Sequence, residues 1–426
     1  MDISSDLGSV GRERLQKKTL WVLFVASAAA RAGLSLVFAV AALLVEQILG
    51  SEQWTGSALA VATAGTAISS TQLSTLMNRH GRRRGMVVGF LLAAIGCAIA
   101  GIGGQLSMIV LLLGGLFLVG VGLAATSLAR YAAADLAQPL NKAKAISSVV
   151  FASTVGAVIG PSLAGPSDWL GGGLGLEELV GAFLFGGFFF IVAATVTWLF
   201  LRPDPLVVSG GLQPKDSMDQ PSLTDGFRAL TSSRPTLLAV AGLSISTAVM
   251  VMVMAMTPVH MVAHDHRLED VGWVISVHTA GMFAFAPIAG YASDKIGRRA
   301  TLAMASGLLV FATTLTALAG DAPLALMFAG LFLLGLGWSF GFVAASALLS
   351  ESIVDPAKRI AAQGSADFVA ATASGVSALA SGFVVSMAGY HILSMIGTSL
   401  AGLLGVFVVL ERKNSASSPR DAVQTA

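Results

Sequence analysis

The positions of the positively charged residues constrain this chain most. All but two of its 25 Lys and Arg residues lie in seven clusters, and two apolar stretches separate each cluster from the next. The clusters are Arg12, Arg14, Lys17, Lys18; Arg79, Arg82, Arg83, Arg84; Arg130, Lys142, Lys144; Arg202, Lys215, Arg228, Arg234; Lys295, Arg298, Arg299; Lys358, Arg359; and Arg412, Lys413, Arg420. Short loops rich in Lys and Arg stay on the cytoplasmic side of a membrane. The pattern therefore predicts twelve membrane spans with both termini in the cytoplasm.

The composition fits this membrane class. Hydrophobic residues make up 55% of the chain and charged residues 11%, whereas about a quarter of the residues of a soluble domain are charged. The basic clusters are short loops, so we expect no nucleic-acid binding. The single cysteine, Cys97, cannot form a disulfide framework or a zinc motif by itself. We also expect no cofactor and no enzyme activity, because no nucleophile–base set or metal-hydrolase motif is present.

The apolar stretches are numbered here as spans 1 to 12, each near the length of about 20 residues that crosses a bilayer. We predict them at residues 20–45, 52–77, 86–103, 106–129, 145–166, 178–201, 236–262, 271–292, 300–318, 323–349, 361–387 and 390–410. Residues 1–201 form a first six-helix bundle, 202–235 a cytoplasmic linker, 236–412 a second bundle and 413–426 a disordered tail. We expect a monomer, surrounded by lipid, in a bacterial inner membrane.

The two halves carry related loops. Asn78-Arg79-His80-Gly81-Arg82-Arg83 lies between spans 2 and 3, and Asp294-Lys295-Ile296-Gly297-Arg298-Arg299 lies between spans 8 and 9, 216 residues later. A repeat of six-helix units around a central pathway is typical of secondary transporters. The predicted fold is all-α, with two pseudo-symmetric bundles.

The second of these loops resembles the signature of the major facilitator superfamily, G-x-x-x-D-R/K-x-G-R-R. Gly290 to Arg299 match it in full, whereas Ser74 and Asn78 replace the Gly and Asp in the first copy. The resemblance implies alternating access, with a conformational lock formed by Gly290, Asp294, Gly297, Arg298, Arg299, Asn78, Gly81 and Arg82. We expect a weaker lock in the first half because Asn78 lacks the acid. Alternatively, both loops only anchor the topology.

Spans 7 and 8 carry a Met and His pattern. Met250 and Met254, like His278 and Met282, are four residues apart, so each pair lies on one helix face. Met254 and His278 lie about 12 Å deep, and Met250 and Met282 about 18 Å, by helical rise. Thioethers select Cu(I), and imidazole also binds copper. The pattern predicts a copper site, although Met at helical spacing also packs membrane helices.

The paired M-x-x-x-M and H-x-x-x-M sequences resemble those of the CcoA-like copper importers, a branch of the major facilitator superfamily. The resemblance implies metal ligation by Met250, Met254, His278 and Met282, with copper as the transported ion. A related branch resembles riboflavin importers, so a small organic solute is the second hypothesis. His260, His264 and His266 lie at the mouth of span 7 and could collect cations, or could belong to a solvated loop.

Two charged residues inside the spans favour other substrates. Arg31 lies about 18 Å into span 1 by helical rise and needs an anionic substrate or an acidic partner, for which Glu46 and Asp367 are the candidates. Asp367 in span 11 is also the candidate for proton coupling, or an ordinary acid near a helix start. Copper import is the leading expectation. Transport or export of an organic solute follows, and a non-transporting sensor is disfavoured because the sequence shows no soluble domain.

Overall fold

The computed structural model describes residues 9–51, 54, 56–177, 179–212, 223–264, 267–319 and 324–416. Its architecture is all-helical in these ranges, with twelve membrane helices in two sets of six. Spans 1 to 6 are Ser9–Leu49, Gly56–His80, Arg82–Gln105, Ile109–Ala134, Lys142–Ser162 continued by Ala164–Gly173, and Gly181–Phe200. Spans 7 to 10 are Arg234–Ala263, Leu268–Phe283 continued by Ala286–Ile296, Arg298–Leu318 and Leu324–Ser352, and Pro356–Ala416 contains spans 11 and 12. The predicted twelve-span fold is confirmed.

Spans 11 and 12 meet without a loop. The helical run Pro356–Ala416 is interrupted at Gly389, with φ 83° and ψ 169°. Glycine adopts positive φ without the steric cost that a side chain would add. One residue therefore reverses the chain where the sequence predicts a two-residue connection.

Span 2 is more polar than the other spans. Ten helical segments of the described residues are long and apolar enough to cross a membrane, and one of them covers both spans 11 and 12. Gly56–His80, which is span 2, is not among the ten. Its buried residues include Thr66, Ser69, Ser70 and Ser74, whose hydroxyls donate to backbone carbonyls of their own helix. These local hydrogen bonds satisfy the hydroxyls, and the helix packs against spans 4 and 11.

The start of span 1 and the end of span 12 lie on the side of the Asp294 loop, which we call the basic side. Near the start of span 1, Gln16 donates to the carbonyl oxygen of Ala133, at the end of span 4, over 2.8 Å. Near the end of span 12, Glu411 accepts from Arg299 over 2.6 Å. The helix continues to Ala416, so residues 413–416 do not belong to a disordered tail, and 417–426 lie outside the described residues.

The linker is helical at both ends, which pack on different halves. Helix Pro205–Val208 inserts Leu206 into the core of the first half. Helix Leu223–Leu230 packs on span 11, where the rings of Phe227 and Phe368 meet edge to face at 5.5 Å. Each half therefore holds one end of the connection between the bundles.

Candidate functional site

The two halves meet on the basic side in three layers, and the first contains the second-half loop. Asp294 accepts hydrogen bonds from the backbone N–H groups of Ala143, over 3.1 Å, and Lys144, over 2.8 Å. These groups belong to the first turn of span 5, where a carboxylate is favoured by the helix dipole. Arg298 donates to the same carboxylate over 2.6 Å and to the carbonyl oxygen of Pro139 over 3.0 Å. Asp294 and Arg298 thus contact the opposite half directly.

The remaining second-half residues support this contact. Gly290 lies against Ser147 and the backbone of Ala143, where a side chain would collide with span 5. Gly297 has φ 95° at the turn between spans 8 and 9. Arg299 pairs with Glu411 within its own half. The predicted lock residues therefore do not all bridge the halves, since Arg299 fixes the end of span 12.

The first-half copy makes a weaker contact. The Asn78 side-chain amide donates to the carbonyl oxygen of Ala357 over 3.4 Å, close to the limit for a hydrogen bond. The first turn of span 11 is instead capped by Asp355, which accepts from the Ala357 backbone N–H over 2.9 Å. Gly81, with φ 91°, lies against Asp204, which accepts from the backbone N–H of Arg83 over 2.8 Å.

Arg82 forms the second layer, deeper in the interface. It pairs with Asp135 of its own half at 2.9 Å and donates to Gln363 of the second half over 2.8 Å. The Arg298–Glu351 pair at 2.8 Å is its counterpart, since both residues are displaced by 216 positions. The internal repeat thus extends from sequence to ion pairs.

Arg130 forms the third layer, and its prediction as a loop residue is wrong. Span 4 continues to Ala134, so Arg130 lies within the helix and is 1% exposed. It donates to Asp367 through two nitrogens, over 2.5 and 3.1 Å, and to Ser346 over 2.9 Å. The apolar run Tyr131–Ala134 after this arginine was the signal that could have placed it inside the span.

Arg31 has neither of its expected partners. Among the described residues no acid forms an ion pair with Arg31. Asp367 pairs with Arg130 instead, and Glu46 forms no ion pair with Arg31 or Arg130. The Arg31 guanidinium lies 4.8 Å from the centre of the Phe283 ring, and its Nε has no hydrogen-bond partner in this part of the chain. Gly156 of span 5 packs against span 1 beside it.

A cavity of about 270 Å³ lies between the halves. Its lining combines charged side chains, aromatic rings, thioethers and hydroxyl groups. They are Arg31, Arg130 and Asp367; Phe283, Trp338 and Phe342; Met250 and Met282; and Thr63, Thr66, Ser70, Thr126, Ser127, Ser153, Thr247 and Ser374. The Trp338 and Phe342 rings stack at 4.6 Å, and Phe283 meets Trp338 edge to face at 5.6 Å.

The predicted copper ligands are divided between the cavity and the helix packing. Met250 and Met282 line the cavity, whereas Met254 packs against the apolar core of the second half. His278 is 2% exposed, and its Nδ1 lies 2.8 Å from the carbonyl oxygen of Leu331 on span 10. Its Nε2 has no hydrogen-bond partner among the described residues. Met252 reaches toward Gly397 of span 12, on another face.

Two of the three histidines predicted at the mouth of span 7 are adjacent. The rings of His260 and His264 lie 4.1 Å apart, and His260 stacks on Tyr390 at 4.2 Å. His266 lies outside the described residues. No group of three or more His, Cys, Asp or Glu side chains that could hold a metal occurs in the described ranges.

Comparison with known proteins identifies the family. The profile of the Major Facilitator Superfamily matches residues 23–268 and 261–425. The MFS-type transporter YddS of Bacillus subtilis is 34% identical, covering 92% of this chain and 90% of the relative. The riboflavin transporter RfnT of Brucella anthropi is 24% identical, covering 93% and 96%. The crystal structure of the human organic anion transporter MFSD10 has a TM-score of 0.72 at 16% identity, covering 92% and 99%. The chain therefore belongs to the Major Facilitator Superfamily of membrane transporters.

Proposed function

We propose that this protein is a secondary-active transporter of a small, planar organic solute that carries an acidic group. The observation that carries the proposal is Arg31, an intramembrane cation that lines the cavity without an acidic partner among the described residues. A charge inside the membrane requires an opposite charge or a polar partner. The acidic group of the solute supplies that charge.

The rest of the lining suits a planar ring system. Trp338, Phe342 and Phe283 form an aromatic wall, and aromatic faces stack on flat ligands. Hydroxyl groups such as that of Ser153 line the cavity and can donate to ring heteroatoms, and the Thr63 hydroxyl, which donates to the Leu59 carbonyl, can accept from ring N–H groups. Pockets for small organic ligands combine apolar walls with a few polar groups in this way. The riboflavin transporter among the relatives is consistent with a heterocyclic substrate.

The proposal includes an orientation. The basic side is cytoplasmic, because it carries the Lys and Arg clusters, and the protein works as a monomer in a bacterial inner membrane. The halves then meet on the cytoplasmic side, and the cavity is reached from outside. Transport follows when the halves rock and open the basic side.

Copper import is the second candidate, and His278 favours it. Its Nδ1 is held by the Leu331 carbonyl, which leaves Nε2 as the free nitrogen. Metal-ligating histidines are commonly oriented through their other ring nitrogen. Met250 and Met282 add thioethers on the cavity wall. Arg31 and Arg130 line the same cavity and would repel a bare cation, so the organic solute ranks first.

Parallel uptake assays test the two candidates. Cells that express the protein receive radiolabelled riboflavin, radiolabelled flavin mononucleotide or copper, and accumulation is compared with cells that lack it. We expect saturable uptake of the acidic flavin, loss of this uptake in Arg31→Gln and partial retention in Arg31→Lys. Copper accumulation without flavin uptake would replace the first candidate by the second. Flavin uptake unaffected by Arg31→Gln would remove the role of the arginine.

A further inference from the structure

A second cavity lies on the basic side, between the start of span 1 and the connection between spans 4 and 5. Its volume is about 660 Å³, compared with about 270 Å³ for the cavity between the halves. All of its lining residues lie between positions 12 and 148, and it shares none of them with the other cavity. This cavity, which we call the basic pocket, is therefore a separate feature of the first half.

The charge of the basic pocket is positive. Arg12, Lys17 and Lys144 line it, and Glu13 is the one carboxylate among its described lining residues. Glu13 pairs with Lys17 over 2.7 Å. Among the described residues no acid forms an ion pair with Arg12 or Lys144, so two cations remain unbalanced. A concave surface with charge of one sign attracts ligands of the opposite sign.

Side chains of the pocket can hold a phosphate group. Gln138 and Asn141 line it beside the cations, and their side-chain amides can each donate two hydrogen bonds. Phosphate oxygens accept strongly from Arg and Lys. The first turn of span 5 adds no free donor there, because Asp294 already accepts from the backbone N–H groups of Ala143 and Lys144. The site therefore consists of side chains and not of a helix end.

The basic pocket lies at the level of the lipid headgroups. The helix of span 1 has 41 residues, so its length of about 60 Å is about twice the hydrocarbon thickness of a bilayer. Its apolar part begins after Lys18, which places the preceding turns outside the hydrocarbon. Trp21 is 65% exposed and marks the boundary, because tryptophan is enriched at membrane interfaces. The lining residues from Arg12 to Lys17 therefore lie among headgroups.

Apolar groups at the pocket favour a lipid over a soluble phosphate compound. Leu20 and Ala145 line it at its membrane end. Leu140, between the lining residues Pro139 and Asn141, is 77% exposed in an otherwise polar connection. A soluble anion needs none of these contacts, whereas the glycerol backbone and acyl chains of a lipid are apolar. Basic pockets between membrane helices are suited to anionic headgroups.

We propose that the basic pocket binds the headgroup of an anionic phospholipid from the leaflet on the basic side. Arg12 and Lys144 contact the phosphodiester, the amides of Gln138 and Asn141 donate to its oxygens, and the acyl chains leave past Leu20. The lipid thereby joins the start of span 1 to the connection between spans 4 and 5. This inference does not depend on the transported solute, so its failure would leave the proposed function unaffected.

Native mass spectrometry of the full chain tests the proposal. The protein is stripped of lipid in detergent and titrated separately with phosphatidylglycerol, phosphatidylethanolamine and soluble glycerol 3-phosphate. We expect one phosphatidylglycerol to bind at least about tenfold more tightly than phosphatidylethanolamine, because each basic residue near an anionic headgroup contributes substantially to binding. Equal affinities for the two lipids overturn the proposal. Tight binding of glycerol 3-phosphate without preference for phosphatidylglycerol would make the pocket a site for soluble phosphates and also overturn it.

Variants locate the lipid. The double variant Arg12→Gln with Lys144→Gln should raise the dissociation constant for phosphatidylglycerol at least about tenfold. Its matched control is Arg79→Gln with Lys358→Gln, which removes two exposed charges of the basic side outside the pocket and should bind like the parent. Equal losses in both double variants would show diffuse attraction to the basic side and overturn the proposal.

A change of shape without a change of charge gives an independent test. Ser148 lines the pocket and is half-buried, so Ser148→Phe should fill part of the space and weaken phosphatidylglycerol binding severalfold while every cation remains. Arg12→Lys with Lys144→Arg, which keeps both charges, should retain most of the affinity. Parent-like binding in both Ser148→Phe and the Arg12→Gln, Lys144→Gln variant overturns the proposal.

Discussion

Lys144 and Asp294 join the two halves through a backbone hydrogen bond, since the Lys144 N–H donates to the Asp294 carboxylate over 2.8 Å. The equivalent position in the first half, Asn78, faces the start of span 11, which Asp355 already caps. Asp294 of the second half therefore caps span 5 of the first half, whereas the start of span 11 is capped by Asp355 of its own half. We therefore expect closure of the basic side to depend on Asp294 more than on Asn78.

Substitutions in the two loops should show this asymmetry. Asp294→Asn loses a charged acceptor for two N–H groups and Arg298, at a cost of about 1–3 kcal/mol, so the basic side opens more often. Asn78→Asp adds a carboxylate near Asp355 and should have a smaller effect. The measurement is the rate of maleimide labelling at Ser350→Cys, a buried position near the basic side, in a Cys97→Ser background.

We expect the labelling rate to rise about tenfold or more in Asp294→Asn, and less in Asn78→Asp. Transport should be impaired in the same order. Equal labelling rates in the parent protein and both variants would show that the two loops do not hold the basic side closed and only anchor the topology.

Arg31→Ala should weaken binding of an acidic solute strongly while binding of a neutral analogue falls little. The guanidinium contributes a charge-assisted hydrogen bond of about 1.5–3 kcal/mol, so the dissociation constant for flavin mononucleotide should rise by at least about tenfold. Isothermal titration with flavin mononucleotide and riboflavin measures both effects. Equal losses for the two ligands would point to disturbed packing, and no loss for either would exclude Arg31 as the anchor.

The copper hypothesis makes a separate prediction on spans 7 and 8. Met254→Leu and His278→Ala should lower copper accumulation severalfold at unchanged membrane abundance, because loss of one ligand weakens a soft-metal site. Met252→Leu is the matched control, since Met252 packs toward span 12. Cellular copper is measured by mass spectrometry against immunoblots of the membrane fraction. Equal copper contents in the three variants would exclude ligation by this set.

Close contact between spans 3 and 4 predicts a stability effect. A side chain at Gly96 would lie 2.6 Å from the carbonyl oxygen of Gly115 and 2.8 Å from the backbone nitrogen of Val119. Gly96→Ala should therefore destabilise the protein by about 1–3 kcal/mol through overpacking. Gly114→Ala, where a side chain meets open space, should be neutral or slightly stabilising. Thermal unfolding in detergent compares the two, and an equal midpoint would contradict the packing argument.

The parts of the structure that depend on the distribution of charge and on the internal repeat could be predicted from the sequence. Clusters of Lys and Arg gave the number of spans, and the repeat of Asn78 and Asp294 gave the pseudo-symmetry. Arg130 was misplaced because a positive charge near a helix end resembles a loop residue when only hydropathy is considered. Its partner Asp367 lies 237 residues away, and no local pattern specifies such a pair.

The Met and His residues show a second limit. Helical rise predicts how deep a residue lies, but the rotation of each helix depends on its neighbours. Span 10 fixes His278 through the Leu331 carbonyl, and Met254 turns into the core of the second half. Arg31 lies within the helix of span 1, as the hydropathy indicates, but only the structure shows that no acid of the described residues pairs with it.

The turn at Gly389 has a mechanical consequence. Because one residue joins spans 11 and 12, the two helices form a tightly connected hairpin. A tilt of span 11 should therefore also move span 12. Span 11 carries Asp367, so we expect any shift of span 11 around that residue to move span 12 as well. Insertion of a few flexible residues at Gly389 should therefore allow span 11 to move without moving span 12.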